Sequence, residues 1–233
     1  MAETVRVSFA RPIPVFPFLD VVLLPHETLP LHIFEPRYRQ MVGECLDSAG
    51  QFAVATIDRE ADEAEGGTEP RPLRPVACVG QIVGHEPLPD GRYNLLLQGI
   101  CRARILDLHE PDGERLYRAA TMRALEPSAE EPPLDDVRQR LAEVVHDRRL
   151  DPLESIERLR EWADHVEIPT RAFIDLVGLV LVRDAERKYR LLAEGDVRVR
   201  AEMVTGELEH LEHLLAAAAG QSWRDWPRGM SWN

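Results

Sequence analysis

The chain has 233 residues, 44% of them hydrophobic, and a formal net charge of -13, which is enough apolar material for a sizeable core in one large domain or two small ones. So acidic a balance argues against a nucleic-acid or anionic-membrane surface, because phosphate binding is driven by Lys and Arg. Lys188 is the only lysine among 28 basic residues and follows Arg187, which excludes a Gly-Lys-[Ser/Thr] phosphate loop and the ATPases built on it.

In chain order, the first half punctuates like a β-rich unit. IPVFPF (13–18) and VVLLP (21–25) are short apolar runs cut by prolines. Prolines 12, 14, 17, 25 and 30 each remove a ladder donor, so these runs are expected at edges and strand ends. LPLHIF (29–34) alternates as a strand, breaks at Glu35-Pro36, and resumes with helical spacing at Tyr38, Met41, Val42 and Cys45. Pro36 fits the first position of that helix. QFAVATID (51–58) is the next strand. Residues 59–75, rich in acids, Gly and Pro, are expected to form a mobile surface loop. Asp90-Gly91 between apolar runs predicts a hairpin, Gly99 predicts a bulge or bend, and LYRAATMRAL (116–125) a further strand.

EPSAEEPP (126–133) reads as a linker, after which the period becomes helical. Val137, Leu141, Val144 and Val145 form one face of a first helix. Asp151-Pro152 is expected to open a second, IPTRAFIDLVGLVLV is a buried third, and Asp184 is expected to cap a fourth that stops at Gly195. Asp196 opens the longest helix. These readings divide the chain into a β-rich unit (1–127), a helical unit (128–219) and a polar, Trp-containing tail (220–233).

Three cysteines, far apart and with no C-x-x-C pair, predict reduced thiols and a cytosolic location. The opening MAETVRVSFARP lacks the apolar run of a signal peptide, and FIDLVGLVLV, interrupted by Asp175, is about half of what a membrane span needs. The six serines fall at termini, linkers and helix ends, and no G-x-S-x-G elbow is present. His210 and His213 are three apart, whereas helical zinc pairs are spaced by four. No cofactor, metal or catalytic residue is expected. The corner Glu35-Pro36-Arg37-Tyr38-Arg39 has two readings. In one, Glu35 caps the helix and pairs with arginine, and Tyr38 starts the buried face. In the other, the same residues form a hydrogen-bonding rim for an extended peptide. The structural reading is preferred, since it needs no ligand.

Taken together, Phe16-Pro17, Val22-Leu23-Leu24-Pro25, the block Leu31 to Tyr38, and Asp90-Gly91-Arg92 followed by Gly99 and Arg102 resemble the Lon substrate-binding domain. The resemblance is strong over residues 10–125 and looser over 133–216. It implies an α+β fold, a small twisted sheet or pseudo-barrel of PUA-like type with one helix, followed by a helical bundle. It further implies a standalone, non-catalytic recognition module for unfolded or extended polypeptide, working with a protease or chaperone system. Two departures stand out: His26 occupies a position where the family usually has glycine, and the ATPase and Ser-Lys protease domains are missing. The expected lining of a binding groove between the sheet and the bundle is Phe16, Phe18, Leu31, Phe34, Glu35, Arg37, Tyr38, Tyr93 and Trp162, next to an exposed sheet edge where the prolines leave room for a guest strand. A cryptic hydrolase or peptidase and a PUA-like RNA binder are the competing readings, the second opposed by the charge.

Overall fold

The computed structural model describes residues 6–64, 66, 70–125 and 133–219. Six strands alternate with two helices in the first half: β1 (Ile13–Phe18), β2 (Thr28–Ile33), α1 (Pro36–Leu46), β3 (Gln51–Ile57), α2 (Arg59–Ala64), β4 (Leu73–Pro87), β5 (Tyr93–His109) and β6 (Ala119–Ala124). Five helices follow: α3 (Asp135–Val145), α4 (Ile156–Asp164), α5 (Thr170–Leu181), α6 (Ala185–Ala193) and α7 (Val197–Ala219), with a 3-10 turn at Arg148–Leu150 between α3 and α4.

The strands make one six-stranded mixed sheet in the order β2-β5-β4-β3-β1-β6. β1 runs parallel to β3, and the remaining pairs are antiparallel. The expected pseudo-barrel of PUA-like type is therefore corrected to a mixed sheet. A barrel abolishes edges, whereas among the described residues β2 pairs with β5 alone and keeps one edge free. β5 is 17 residues long and changes partners along its length. Its first half lies against β2, and its second half receives β6. The bulge predicted at Gly99 lies between these halves, where the register with β4 slips by one residue.

Gly99 is there for a close approach. A Cβ on it would stand 2.1 Å from the carbonyl oxygen of Leu24, because the Leu24–Glu27 turn sits on it. The N–H of His26 donates to the Gly99 carbonyl at 2.9 Å, and the N–H of Gly99 donates to the Glu27 carbonyl at 2.8 Å. His26 keeps the left-handed conformation of that turn, with φ 69°, although histidine adopts it less readily than glycine.

Three further expectations are revised. β1 is not an outer strand of the sheet: it stands between β3 and β6 in the strand order, pairing with β6 at Ile13 and Pro14 and with β3 over residues 15–18. The segment 59–75 is not all loop: Arg59–Ala64 is helical and Asp62 is buried. Asp151-Pro152 does not open α4; Asp151 ends the 3-10 turn, and the helix starts at Ile156. Asp184 does cap α6, accepting the N–H of Arg187 at 2.9 Å. The linker 126–132 and the tail 220–233 lie outside the described residues.

One apolar cluster runs through both halves, from Leu24, Phe52 and Leu97 of the sheet side to Leu141, Phe173 and Val204 of the helices. A second, built on small residues such as Ala53, Ala55, Ala77 and Ala103, covers the other face of the same strands. β3 feeds both, Phe52 and Val54 to the first and Ala53 and Ala55 to the second. That two-sided burial explains its nearly continuous apolar sequence, residues 52–57 with Thr56 the one polar residue. The helices are also fixed by charge. Arg102 of β5 grips Asp175 of α5 with two hydrogen bonds, 2.9 and 2.7 Å, and the Arg200 Nε stands 3.4 Å from the same carboxylate. At the rim, Lys188 donates to Glu27 at 2.6 Å, so the single lysine ties α6 to the turn that rests on Gly99.

Candidate functional site

β6 leaves β1 early. Its ladder with β1 covers Ile13 and Pro14, and one further bond joins the Val15 N–H to the Arg118 carbonyl at 2.8 Å. Phe16, Pro17 and Phe18 are paired with β3 on one side, and the other side borders a cleft of about 450 Å³. Alternation puts Phe16 and Phe18 on one face of the strand, where their rings stack with centroids 4.6 Å apart. Tyr38, from the first turn of α1, stacks on Phe16 at 4.1 Å, and buried Phe52 lies 6.2 Å behind. The aromatic column thus runs from the core out to the cleft. Leu31 and His32 of β2 and Phe34 just beyond it also line the cleft. Phe34 is 60% exposed, which is high for so large an apolar side chain beside other aromatics.

The corner at Glu35 is made by the backbone. Glu35 holds the N-cap position of α1 with extended geometry, and Pro36 follows inside the helix. The Glu35 carbonyl accepts the N–H groups of Tyr38 and Arg39 at 3.1 and 2.9 Å. Its carboxylate makes no capping hydrogen bond, contrary to the expected cap, and accepts instead from the Arg37 Nε at 3.0 Å. The Arg37 guanidinium also lies 4.8 Å from the Tyr38 ring centre, within cation–π range. Glu35 and Arg37 therefore form part of the cleft wall.

Seven of the nine residues expected to line a groove meet here: Phe16, Phe18, Leu31, Phe34, Glu35, Arg37 and Tyr38. Tyr93 and Trp162 do not. Tyr93 pairs with Ile33 and Pro87 near the hairpin turn, and Trp162 sits on α4, where its carbonyl accepts from Arg138. Two lining residues, Arg71 and Arg118, come from segments remote in sequence. Arg118 donates to the Arg71 carbonyl at 2.6 Å and to Glu110 at 2.8 Å, and Arg71 stands 3.7 Å from Asp62. Arg118 arrives through the pairing of β6 with β1 and Arg71 through the pairing of β4 with β3, neither of which a local pattern announces.

The cleft continues on both sides. Pro17, Arg37, Tyr38 and Arg118 also line a neighbouring recess of about 340 Å³. Pro30, Leu31 and His32 border a broader one of about 560 Å³ that spreads over β5 and β4 past half-exposed Leu96.

Reactive groups are spent elsewhere. Burial pushes the Cys45 thiol up to about 12 and raises that of Cys78 as well, so both are protonated and poor nucleophiles. Ser48 donates to the Glu44 carbonyl, and Lys188 is held by Glu27. Among the described residues no group of three or more His, Cys, Asp or Glu is placed to hold a metal ion. Among them, too, no helix is long and apolar enough to cross a membrane.

A family profile described as the ATP-dependent protease La (LON) substrate-binding domain matches residues 12–210. The chain is 25% identical over 204 residues to a Lon protease of Desulfosudis oleivorans, covering 87% of this chain and 24% of that protein. With a Lon protease of Lawsonia intracellularis the identity is 35% over 114 residues, 49% of this chain and 13% of that one. The chain thus spans about a quarter or less of these relatives, and the matched part is the substrate-binding domain, not the protease domain. Among solved structures, it resembles a Lon N-terminal domain protein from Xanthomonas campestris, with TM-score 0.58, 23% identity, and coverage of 88% of this chain and 98% of that one. It also resembles the N-terminal domain of Mycobacterium avium complex Lon protease, with TM-score 0.62, 18% identity, and coverage of 85% and 98%.

Proposed function

This chain belongs to the ATP-dependent protease La (LON) substrate-binding domain family, and on that premise we propose that it recognises unfolded or extended polypeptide and performs no catalysis of its own. The observation that carries this reading is the cleft at the end of β1. Phe16, Phe18 and Tyr38 stack there on the core, and Phe34, 60% exposed, lines the same cleft. A folded protein hides its large apolar side chains, so a surface that displays several selects for chains that have not yet hidden theirs. Seating one Phe- or Leu-sized side chain is worth about 1.5–3 kcal/mol, or roughly ten- to a hundredfold in affinity. The buried thiols of Cys45 and Cys78 suit a reducing cytosol, where a protease or chaperone system would receive what the cleft holds.

The test is titration of the chain with one protein in two states, native and reduced-alkylated. Tight binding of the unfolded state alone, weakened by Phe16→Ala, supports the reading. Equal binding of both states, or of neither, contradicts it.

A further inference from the structure

Both strand ends that border the cleft carry proline, Pro17 from β1 and Pro30 from β2. In β1 the Val15 N–H points toward the β6 side, where it meets the Arg118 carbonyl. Alternation along the strand turns position 17 the same way, and proline has no N–H to offer there. In β2, Pro30 removes another donor from the outermost strand of the sheet, which among the described residues pairs with β5 alone. A guest strand joins a sheet through alternating donors and acceptors on its host. These two edges are short of donors.

The charges bordering the cleft point the other way from the chain as a whole. Among the described residues its lining carries three arginines, Arg37, Arg71 and Arg118, and one carboxylate, Glu35, in a protein of net charge -13. Arg71 and Arg118 do have acidic neighbours, Asp62 and Glu110; Asp62 is buried, and Glu110 borders the adjoining recess beside Arg118. The Arg71 contact, at 3.7 Å, is longer than a hydrogen bond and is the easiest for a guest carboxylate to replace or share.

We infer that the cleft reads side chains: a large apolar anchor seated among Phe16, Phe34 and Tyr38, and beside it an Asp or Glu of the same guest against Arg37 and Arg71, with no strand added to the sheet. This rests on the polypeptide-binding reading above and narrows it to acidic-flanked apolar segments. The positive wall also keeps such guests on a protein whose overall charge would repel them.

The experiment is calorimetric titration of the full chain with short peptides, acetylated and amidated so that no terminal charge enters. One carries Phe beside Glu, a second Phe beside Gln, and a third repeats the first with its backbone N-methylated next to the anchor. The Glu peptide should bind about tenfold tighter than the Gln peptide, as one charge-assisted hydrogen bond provides. That gap should narrow at high salt, and N-methylation should change affinity less than about twofold. Arg71→Gln should abolish the preference for Glu and leave the Gln peptide unaffected. Because Arg71 neighbours buried Asp62, each variant is melted first, and Arg37→Gln serves as the second variant. Equal binding of the Glu and Gln peptides to the unsubstituted chain, or a tenfold loss on N-methylation, overturns the inference and leaves peptide recognition standing. No binding of any of the three overturns the recognition itself.

Discussion

Arginine–carboxylate pairs occur in two places with opposite consequences. At the seam between sheet and helices, Asp175 lies between Arg102 and Arg200, and the three side chains are 2%, 1% and 0% exposed. At the cleft, Arg37 and Glu35 are 37% and 39% exposed. Water and salt screen the second pair, so it contributes about 0–1 kcal/mol and its members can exchange partners. The first has no water to fall back on. Removing one member strands a charge in the core, although the intact cluster need not stabilise more than an apolar one would. The seam therefore holds the bundle in one place on the sheet, while the cleft keeps its charges available. Rigidity and recognition are built from the same residue types, sorted by burial.

Four substitutions probe that contrast, and the seam should give the largest response. Asp175→Ala should lower stability by about 3–5 kcal/mol in urea unfolding, because two guanidiniums lose their shared carboxylate. A loss below about 1 kcal/mol would put the seam in the same class as the exposed pairs. Next comes Gly99→Ala, whose new Cβ would meet the Leu24 carbonyl at 2.1 Å. The Leu24–Glu27 turn must then move, at about 1–3 kcal/mol, read from the same unfolding curve; an unchanged midpoint would mean the turn does not depend on that contact. Lys188→Ala removes the rim tie to Glu27, whose side chains are 17% and 25% exposed, and should cost about 1 kcal/mol. Glu35→Ala should cost less than about 1 kcal/mol, since its carboxylate caps nothing. A loss of 2 kcal/mol or more, roughly the upper end for a true cap, would show that the corner depends on this side chain after all.

How much of this could be read from residues alone depended on how local the cause was. The hairpin at Asp90-Gly91 follows from one glycine, which takes φ 77°, and the bulge at Gly99 from another. The strand-to-helix corner follows from Pro36, and the helices from their apolar period. Pairings between distant segments were not legible. Nothing in ILDLH announces that β5 changes partners halfway, so the mixed sheet was missed, although the prolines do point to exposed edges and Pro30 lies on the outer strand β2. The helix at Arg59–Ala64 was hidden by its acidic composition, although buried Asp62 gives it an anchor near Arg71. At the cleft, the aromatic and corner residues lie within twenty-odd positions of one another and were found together. Arg71 and Arg118 were not found, because only the pairing of β4 with β3 and of β6 with β1 brings them there. Tyr93 and Trp162 were expected there on residue type alone, and their elements carry them elsewhere.

The central claim is that the aromatic cleft binds polypeptide, and Phe34→Ser tests it most directly. Phe34 is 60% exposed, so the substitution should leave unfolding within about 0.5 kcal/mol of the original chain. Affinity for a reduced-alkylated protein, titrated on the same sample, should fall about tenfold or more, the value of one seated apolar contact. Full stability with unchanged affinity would contradict the account and move recognition away from the corner between β2 and α1.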